Sequence, residues 1–288
     1  MSQHDAGRTV LRTLSGEPGA GRRICVVHPG TLPVQVYREL AGRLAPSAAL
    51  DVLEMSRLPA YRAAMAAHRP DITVESLAAD LAAHLDGARH DLVAGWSFGG
   101  LVALALAGGA APVALLDSVA SWQDDSLSGR AVRPYQTVTW FCMFLGARTG
   151  RAFTVEPDRL RGALDPVLAY VRERGIEQRV LPAEMTVGWL HDLFVGFVRQ
   201  VRRNGRMAEA FRPGRVPDPL LLIKPRGSLF PGASSLGWTA LAGDALRLVP
   251  GPGDHYSMLT DPVAVAHTAA VFRSVLDRPV LDRQGQIP

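Results

Sequence analysis

The chain has 288 residues, 48% of them hydrophobic and 20% charged, and a formal net charge of +4. Such a chain buries a sizeable core, which excludes a disordered protein, and no basic run interleaves with aromatics as a nucleic-acid surface requires. The N-terminal Met1-Ser2-Gln3-His4-Asp5 has no secretion-signal centre and no apolar run nears the ~20 residues of a membrane span, so a cytoplasmic protein without membrane or nucleic-acid partners is expected.

Residues 1–8 read as a polar tail, Thr9–Leu14 as an edge strand and Ser15–Gly21 as a turn region. Ile24–His28 is β-branched and apolar, the pattern of a central parallel strand, and holds Cys25 as a small core residue. The other cysteine, Cys142, lies far along the chain, and two cysteines make no disulfide framework. After Pro29-Gly30-Thr31, residues Val36, Leu40 and Leu44 have helical spacing; Ala49–Leu53 follows as a strand. Val74, Leu77, Leu81 and Leu85 mark one face of the next helix. A short apolar strand, Leu92–Ala94, then enters Gly95-Trp96-Ser97-Phe98-Gly99, and Gly100–Ala107 is an Ala/Leu-rich helix. Val113–Leu116 is a buried strand ending at Asp117.

Residues 118–218 break this alternation. An aromatic apolar block at Val138–Leu145 precedes two helical stretches, Pro157–Arg174 and Pro182–Arg203. The second carries Met185, Trp189, Leu193, Phe197 and Val201 at four-residue intervals, an amphipathic stripe. Strands resume at Leu220–Lys224 and Leu246–Val249, the latter leading to Gly253-Asp254-His255-Tyr256; Pro262–Leu276 is a helix and 278–288 a polar tail. Strands alternating with helices imply an α/β fold with a mostly parallel sheet flanked by helices. Residues 1–117 and 219–288 are then the core, and 118–218 a helical lid subdomain inserted after the strand that bears Asp117.

Ser97, Asp117 and His255 each follow the C-terminal end of an expected parallel strand, where open α/β sheets place their ligands. A serine hydroxyl is a weak nucleophile; it needs an imidazole to take its proton and a carboxylate to hold that imidazole's tautomer. The three residue types in this order supply those roles. Backbone N–H donors for the developing oxyanion are expected from Phe98, after the nucleophile, and from the turn Gly30-Thr31-Leu32, with Thr31 preferred and Leu32 open. His28 is read as stabilising that loop, Asp254 as a turn residue, Asp124 and Asp125 as solvated and His191 as structural or exposed. No metal-ligand spacing, Walker motif or dinucleotide-binding glycine pattern is present, so no cofactor and no metal are expected. Arg199, Arg202, Arg203, Arg206, Arg212 and Arg215 form a cluster that reads either as a solvated helix face or as a surface for an acidic partner or a phosphate.

These residues resemble the thioesterase domains of nonribosomal peptide and polyketide synthetases. The likeness rests on Cys25-Val26-Val27-His28-Pro29-Gly30, Val36-Tyr37-Arg38-Glu39-Leu40, Gly95-Trp96-Ser97-Phe98-Gly99-Gly100, Leu115-Leu116-Asp117-Ser118 and Gly253–Leu259. The chain departs from the family in Gly30-Thr31-Leu32-Pro33, where members commonly carry a second small residue. Trp96 stands where discrete editing members usually have His, so the elbow resembles that of chain-terminating members; a discrete enzyme acting in trans is expected. The resemblance implies an α/β-hydrolase fold and release of an acyl chain from the phosphopantetheine thioester of an acyl or peptidyl carrier protein, by hydrolysis or cyclisation through an acyl-enzyme. It implies Trp140, Phe141, Phe144, Trp189 and Phe197 as lid residues shaping the acyl chamber. The alternatives are a small-molecule esterase or acyltransferase with the same three residues, and a non-catalytic binding protein on the same scaffold.

Overall fold

The computed structural model describes residues 9–16, 21–45, 47–66, 72–120, 133–214, 216 and 219–277. The expected tails at 1–8 and 278–288, and Asp124, Asp125 and Arg215, lie outside these residues. Among the described residues are the strands β1 (Leu11–Ser15), β2 (Arg23–His28), β3 (Ala49–Glu54), β4 (Leu92–Trp96), β5 (Val113–Leu116), β6 (Leu220–Gly227) and β7 (Leu246–Asp254). They form one seven-stranded sheet in the order β1-β3-β2-β4-β5-β6-β7. Only the edge pair β1–β3 is antiparallel; every other pair is parallel.

The helices are α1 (Arg38–Leu44), α2 (Pro59–Ala66), α3 (Val74–Ala82), α4 (Gly99–Ala107), α5 (Pro134–Thr149), α6 (Leu164–Glu177), α7 (Val187–Ala210), a single turn α8 (Thr239–Ala242) and α9 (Pro262–Leu276). Alternation along the strands divides the core into two layers. Ile24 and Val26 of β2 face Leu40 and Leu44 of α1 and Ala269 and Phe272 of α9 in one cluster. Cys25 and Val27 join Leu77 and Leu81 of α3 and Leu101 to Leu104 of α4 in the other. The mostly parallel sheet between helical layers is the architecture expected of the sequence. Among the described residues no helix is long and apolar enough to cross a membrane.

Local chemistry sets several boundaries. Asp261 caps α9 by accepting from the N–H groups of Val263 (3.0 Å) and Ala264 (2.9 Å), with Pro262 in the first turn. Thr186 caps α7, its hydroxyl accepting from Trp189 N–H at 3.1 Å, so this helix starts five residues after the expected Pro182 and runs on to Ala210. The expected helix Pro157–Arg174 is instead a 3-10 turn, Pro157–Leu160, and α6, separated where Gly162 takes a φ of 117° that a continuing helix cannot use. The aromatic block at Val138–Leu145 is helical and belongs to α5.

Helices α5 to α7 occupy the insertion between β5 and β6. The insertion is rooted in the core: Met207 and Ala208 near the end of α7, and Phe211 after it, pack in the cluster that contains α3 and α4. Helix α2 had no counterpart in the sequence reading. Its Tyr61 hydroxyl donates to Asn204 Oδ1 of α7 at 3.0 Å, which ties the insertion to the segment after β3.

Candidate active site

The turn after β4 holds Ser97 at a φ of 55°, a left-handed conformation that side chains other than glycine rarely take. Its N–H donates to the Leu116 carbonyl at 2.9 Å, which pins the turn to the neighbouring strand. The flanking glycines permit this. A Cβ on Gly95 would stand 2.2 Å from the Gly99 carbonyl oxygen, and one on Gly99 would stand 2.4 Å from the Val27 carbonyl oxygen. Strand, turn and helix therefore pack backbone against backbone, and Ser97 stays half-buried at the open end of the sheet.

Asp117, one residue past β5, has a φ of 45° and donates its N–H to the Ile223 carbonyl at 2.9 Å. Its Oδ2 lies 2.7 Å from His255 Nδ1, and its Oδ1 accepts from the Ser228 hydroxyl at 2.7 Å. The Leu229 N–H donates to Oδ2 at 3.4 Å. Both Asp117 and His255 are 2% exposed, so this carboxylate is buried only because it is paired and hydrogen-bonded. A carboxylate can only accept, so the His255 proton sits on Nδ1 and leaves Nε2 as the free base.

The loop carrying His255 is built by its neighbours. Asp254 Oδ1 accepts from the N–H groups of Tyr256 and Ser257, both at 2.8 Å, and is the turn residue expected. The Trp96 indole N–H donates to the His255 carbonyl at 2.8 Å, with the two rings 4.9 Å apart. The residue before the serine thus holds the histidine loop in place.

On the other side of Ser97, Phe98 is the N-cap residue of α4, placing its N–H at a helix N-terminus. Gly30 has a φ of 87°, and a Cβ there would meet Ser56 Cβ at 2.3 Å. His28 is fully buried; its Nε2 donates to the Leu32 carbonyl at 2.7 Å and its Nδ1 accepts from the Tyr37 hydroxyl at 3.1 Å. Burial lowers its affinity for a proton below that of an ordinary imidazole, so the ring is neutral and serves to hold the loop. Leu32 packs in the core at 2% exposure, whereas Thr31 lines the pocket with Ser97.

Residues 22–109 match the family model of the thioesterase domain. The chain has a thioesterase-type α/β-hydrolase fold. The matched segment contains the His28–Gly30 loop and the Ser97 elbow, and ends before Asp117 and His255. The resemblance to thioesterases read from the sequence is borne out by this match and by solved structures of like fold. One is holo-AB3403, a four-domain nonribosomal peptide synthetase bound to AMP and glycine, at a TM-score of 0.61 and 20% identity over 94% of this chain; the chain spans 20% of that protein's length. Another is the NocB thioesterase domain in covalent complex with a fluorophosphonate nocardicin G analog, at 0.54 and 22% identity over 93% of this chain and 100% of that one. A third is the Vlm2 thioesterase domain, at 0.51 and 19% identity over 92% and 96%. At these identities the likeness is one of fold. No curated protein matches the chain.

The fold brings Ser97, Phe98, Thr31, Asp117 and His255 to one pocket of about 140 Å³. Of the aromatic residues expected to shape an acyl chamber, Trp140 and Phe197 line it. Phe141, fully buried, and Phe144 do not; they pack with Phe197 as a layer behind the wall, at ring separations of 5.5 and 5.3 Å. Trp189 is 63% exposed and lies outside the pocket. The reason is geometric: a four-residue interval advances about 40° beyond a full helical turn, so the expected stripe spirals off the buried face. The face that is buried follows Leu190, Phe194 and Phe197.

Several pocket residues were not anticipated. Gln200 and Asn204 line it from α7 beside Val201, and Gln200 donates to the Thr31 hydroxyl at 3.2 Å. Their four-residue spacing on a helix that also carries Phe197 was the signal available. Ser228, bonded to Asp117, lies just past β6, in the same strand-end position as the three residues singled out. His191 sits on α7 away from the pocket, 3.8 Å from Asp192. In the arginine cluster, Arg199, Arg202, Arg206 and Arg212 are exposed and Arg203 is buried.

Proposed function

We propose that the chain is a serine thioesterase that releases an acyl chain from the phosphopantetheine thioester of a carrier protein through an acyl-enzyme. Ser97 Oγ attacks the thioester carbonyl as His255 Nε2 takes its proton, and Asp117 stabilises the imidazolium through Nδ1. The negative charge on the carbonyl oxygen meets the N–H groups of Phe98 and the Thr31 segment. The C–S bond then breaks, the imidazolium returns its proton to the departing thiolate, and the acyl group stays on Ser97. Water, or a hydroxyl or amine within the acyl chain, repeats the sequence, giving a free acid or a ring. Trp140 and Phe197 line the chamber, and a chamber that excludes water would favour the internal nucleophile over hydrolysis.

The observation that carries this reading is the buried Asp117–His255 pair, 2.7 Å apart, in the pocket that also contains a serine held at positive φ on a thioesterase-type elbow. The synthetase and thioesterase domains of like fold support a carrier-bound substrate. The test compares one acyl group as its pantetheine thioester and as its oxygen ester. Faster turnover of the thioester, lost in Ser97→Ala, is expected. Turnover of the oxygen ester alone would favour the second reading, an esterase or acyltransferase for small acyl groups, whose support is the pocket volume of only about 140 Å³.

A further inference from the structure

The insertion between β5 and β6 holds a second cavity, of about 670 Å³, between α5, the start of α6 and α7. Its walls are largely apolar, with Val138, Leu164, Val167, Phe194 and Val198 among them. It is separate from the pocket of Ser97. On α7, Phe194, Val198 and Arg202 line this cavity at four-residue intervals, while Phe197, Gln200 and Asn204 line the Ser97 pocket from the other flank of the helix. Val201 lies between the two sets and is the one described residue that borders both spaces. A concavity of several hundred Å³ with apolar walls and a few polar groups has the form of a small-molecule site.

Three arginines line the same cavity from three places in the chain: Arg133 at the N-cap of α5, Arg161 just after the turn Pro157–Leu160, and Arg202 of α7. The Arg161 guanidinium stands over the ring of Tyr135, itself a lining residue, at 5.5 Å from the centroid, which holds that charge at the cavity. None of the described lining residues is acidic; Asp165, in the first turn of α6, does not line the cavity. Among the described residues none of the three arginines forms an ion pair. Arginines spread along an exposed helix are each solvated by water. Three that border one apolar cavity set a single sign of charge beside walls of low dielectric, where a ligand's charge is less screened. A hydrocarbon chain ending in an anion has the same division. A neutral chain would leave the arginines without a role, and a small polyanion would leave the apolar walls without one.

We propose that this cavity of the insertion is a binding site for a medium-chain aliphatic carboxylate, its chain against Val167, Phe194 and Val198 and its carboxylate at Arg133, Arg161 and Arg202. The site is distinct from the Ser97 pocket and stands whether or not Ser97 is a nucleophile.

The test titrates the wild-type chain by calorimetry with decanoate, decanol and decyltrimethylammonium, one chain length with an anionic, a neutral and a cationic head, each below its aggregation concentration. Decanoate is expected to bind one to one and about tenfold tighter than decanol, the magnitude of one hydrogen bond to a charged group, and the cation not to bind. Octanoate, shorter by two methylenes, should bind about tenfold more weakly than decanoate. The triple variant Arg133→Gln/Arg161→Gln/Arg202→Gln, at exposed positions the fold does not need, removes the preference for the anion and keeps the dependence on chain length. Arg247→Gln, at an exposed arginine on β7, changes neither and separates the site from net charge. Val198→Phe narrows the cavity and weakens decanoate and decanol alike, with an unchanged melting midpoint showing that the chain is folded. A crystal grown with ω-bromodecanoate locates the chain by the anomalous signal of bromine, expected between α5 and α7. Equal affinity for the three heads, a preference that survives the triple variant, or bromine in the Ser97 pocket overturns the proposal. Bromine in the cavity, with arginine-dependent binding, supports it even where no thioester is turned over, so its failure and that of the catalytic reading are told apart.

Discussion

Ser228 offers a direct way to separate the architecture of the buried acid from the acid itself. Its hydroxyl donates to Asp117 Oδ1 at 2.7 Å, and Ser228 is 6% exposed, so water cannot readily replace it. In Ser228→Ala the carboxylate keeps His255 on Oδ2 and a long contact from Leu229 N–H at 3.4 Å, while Oδ1 loses its donor. A hydrogen bond to a charged group contributes about 1.5–3 kcal/mol, and the same range applies to leaving such a group unsatisfied. At about 2 °C per kcal/mol for a chain of this size, the melting midpoint should fall by about 3–6 °C. The carboxylate is then free to turn away from Nδ1, so kcat on an acyl-pantetheine thioester should drop about ten- to a hundredfold, at tenfold per ~1.4 kcal/mol. Ser228→Thr keeps the hydroxyl and should recover most of both. Calorimetric melting and steady-state turnover decide the matter: an alanine variant that melts and turns over like the parent refutes the assignment of Ser228 as the group that positions Asp117.

Gly95→Ala should cost about 1–3 kcal/mol of stability and most of the turnover, because the new Cβ would meet the Gly99 carbonyl oxygen at 2.2 Å, and backbone cannot swing aside as a side chain can; denaturant unfolding and fluorophosphonate labelling of Ser97 check both. Trp189→Ala should change stability by no more than about 0.5 kcal/mol and leave turnover intact, since the side chain is 63% exposed; a large loss of either would contradict the face assigned to α7. His28 is neutral in the folded chain, its proton affinity lowered by burial from an ordinary value of 6.5. The unfolded chain takes up the proton first as pH falls, so this contribution to stability is present above about pH 6.5 and is lost as pH falls below it. Urea unfolding at pH 7.5 and 5.5 should show that decline, and His28→Gln should flatten it.

The parts of the site that were legible in the sequence are those encoded by neighbours along the chain. The Ser97 elbow is local: a strand, glycines that admit a backbone contact, and an Ala/Leu-rich helix. Asp117 and His255 were readable because each follows a strand end, although only the fold brings them to 2.7 Å. Residues whose role comes from distant partners were not readable. Ser228 acquires its meaning from Asp117, 111 positions away, and Gln200 from Thr31, 169 away. Helix α2 escaped notice for a different reason: Pro59 and the alanines at 60, 63, 64 and 66 favour a first turn and a helix, but the run has few large apolar residues to mark a face. Trp189 was misplaced by a spacing of four, which tracks a helix for one turn and then leaves its face, and Phe141 and Phe144 by a helical block whose inner face packs behind the pocket wall. Trp140 and Phe197 reach the pocket, whereas Phe141, Phe144 and Trp189 do not.

The central claim is that Ser97 carries the acyl group in transit. Intact-mass spectrometry of the chain, quenched during turnover of an acyl-pantetheine thioester, measures it directly. The account predicts an adduct of the acyl mass, mapped to the peptide containing Ser97, absent in Ser97→Ala and slow to form in His255→Ala. Turnover that proceeds with Ser97 replaced, or an adduct mapped to another residue, would contradict it.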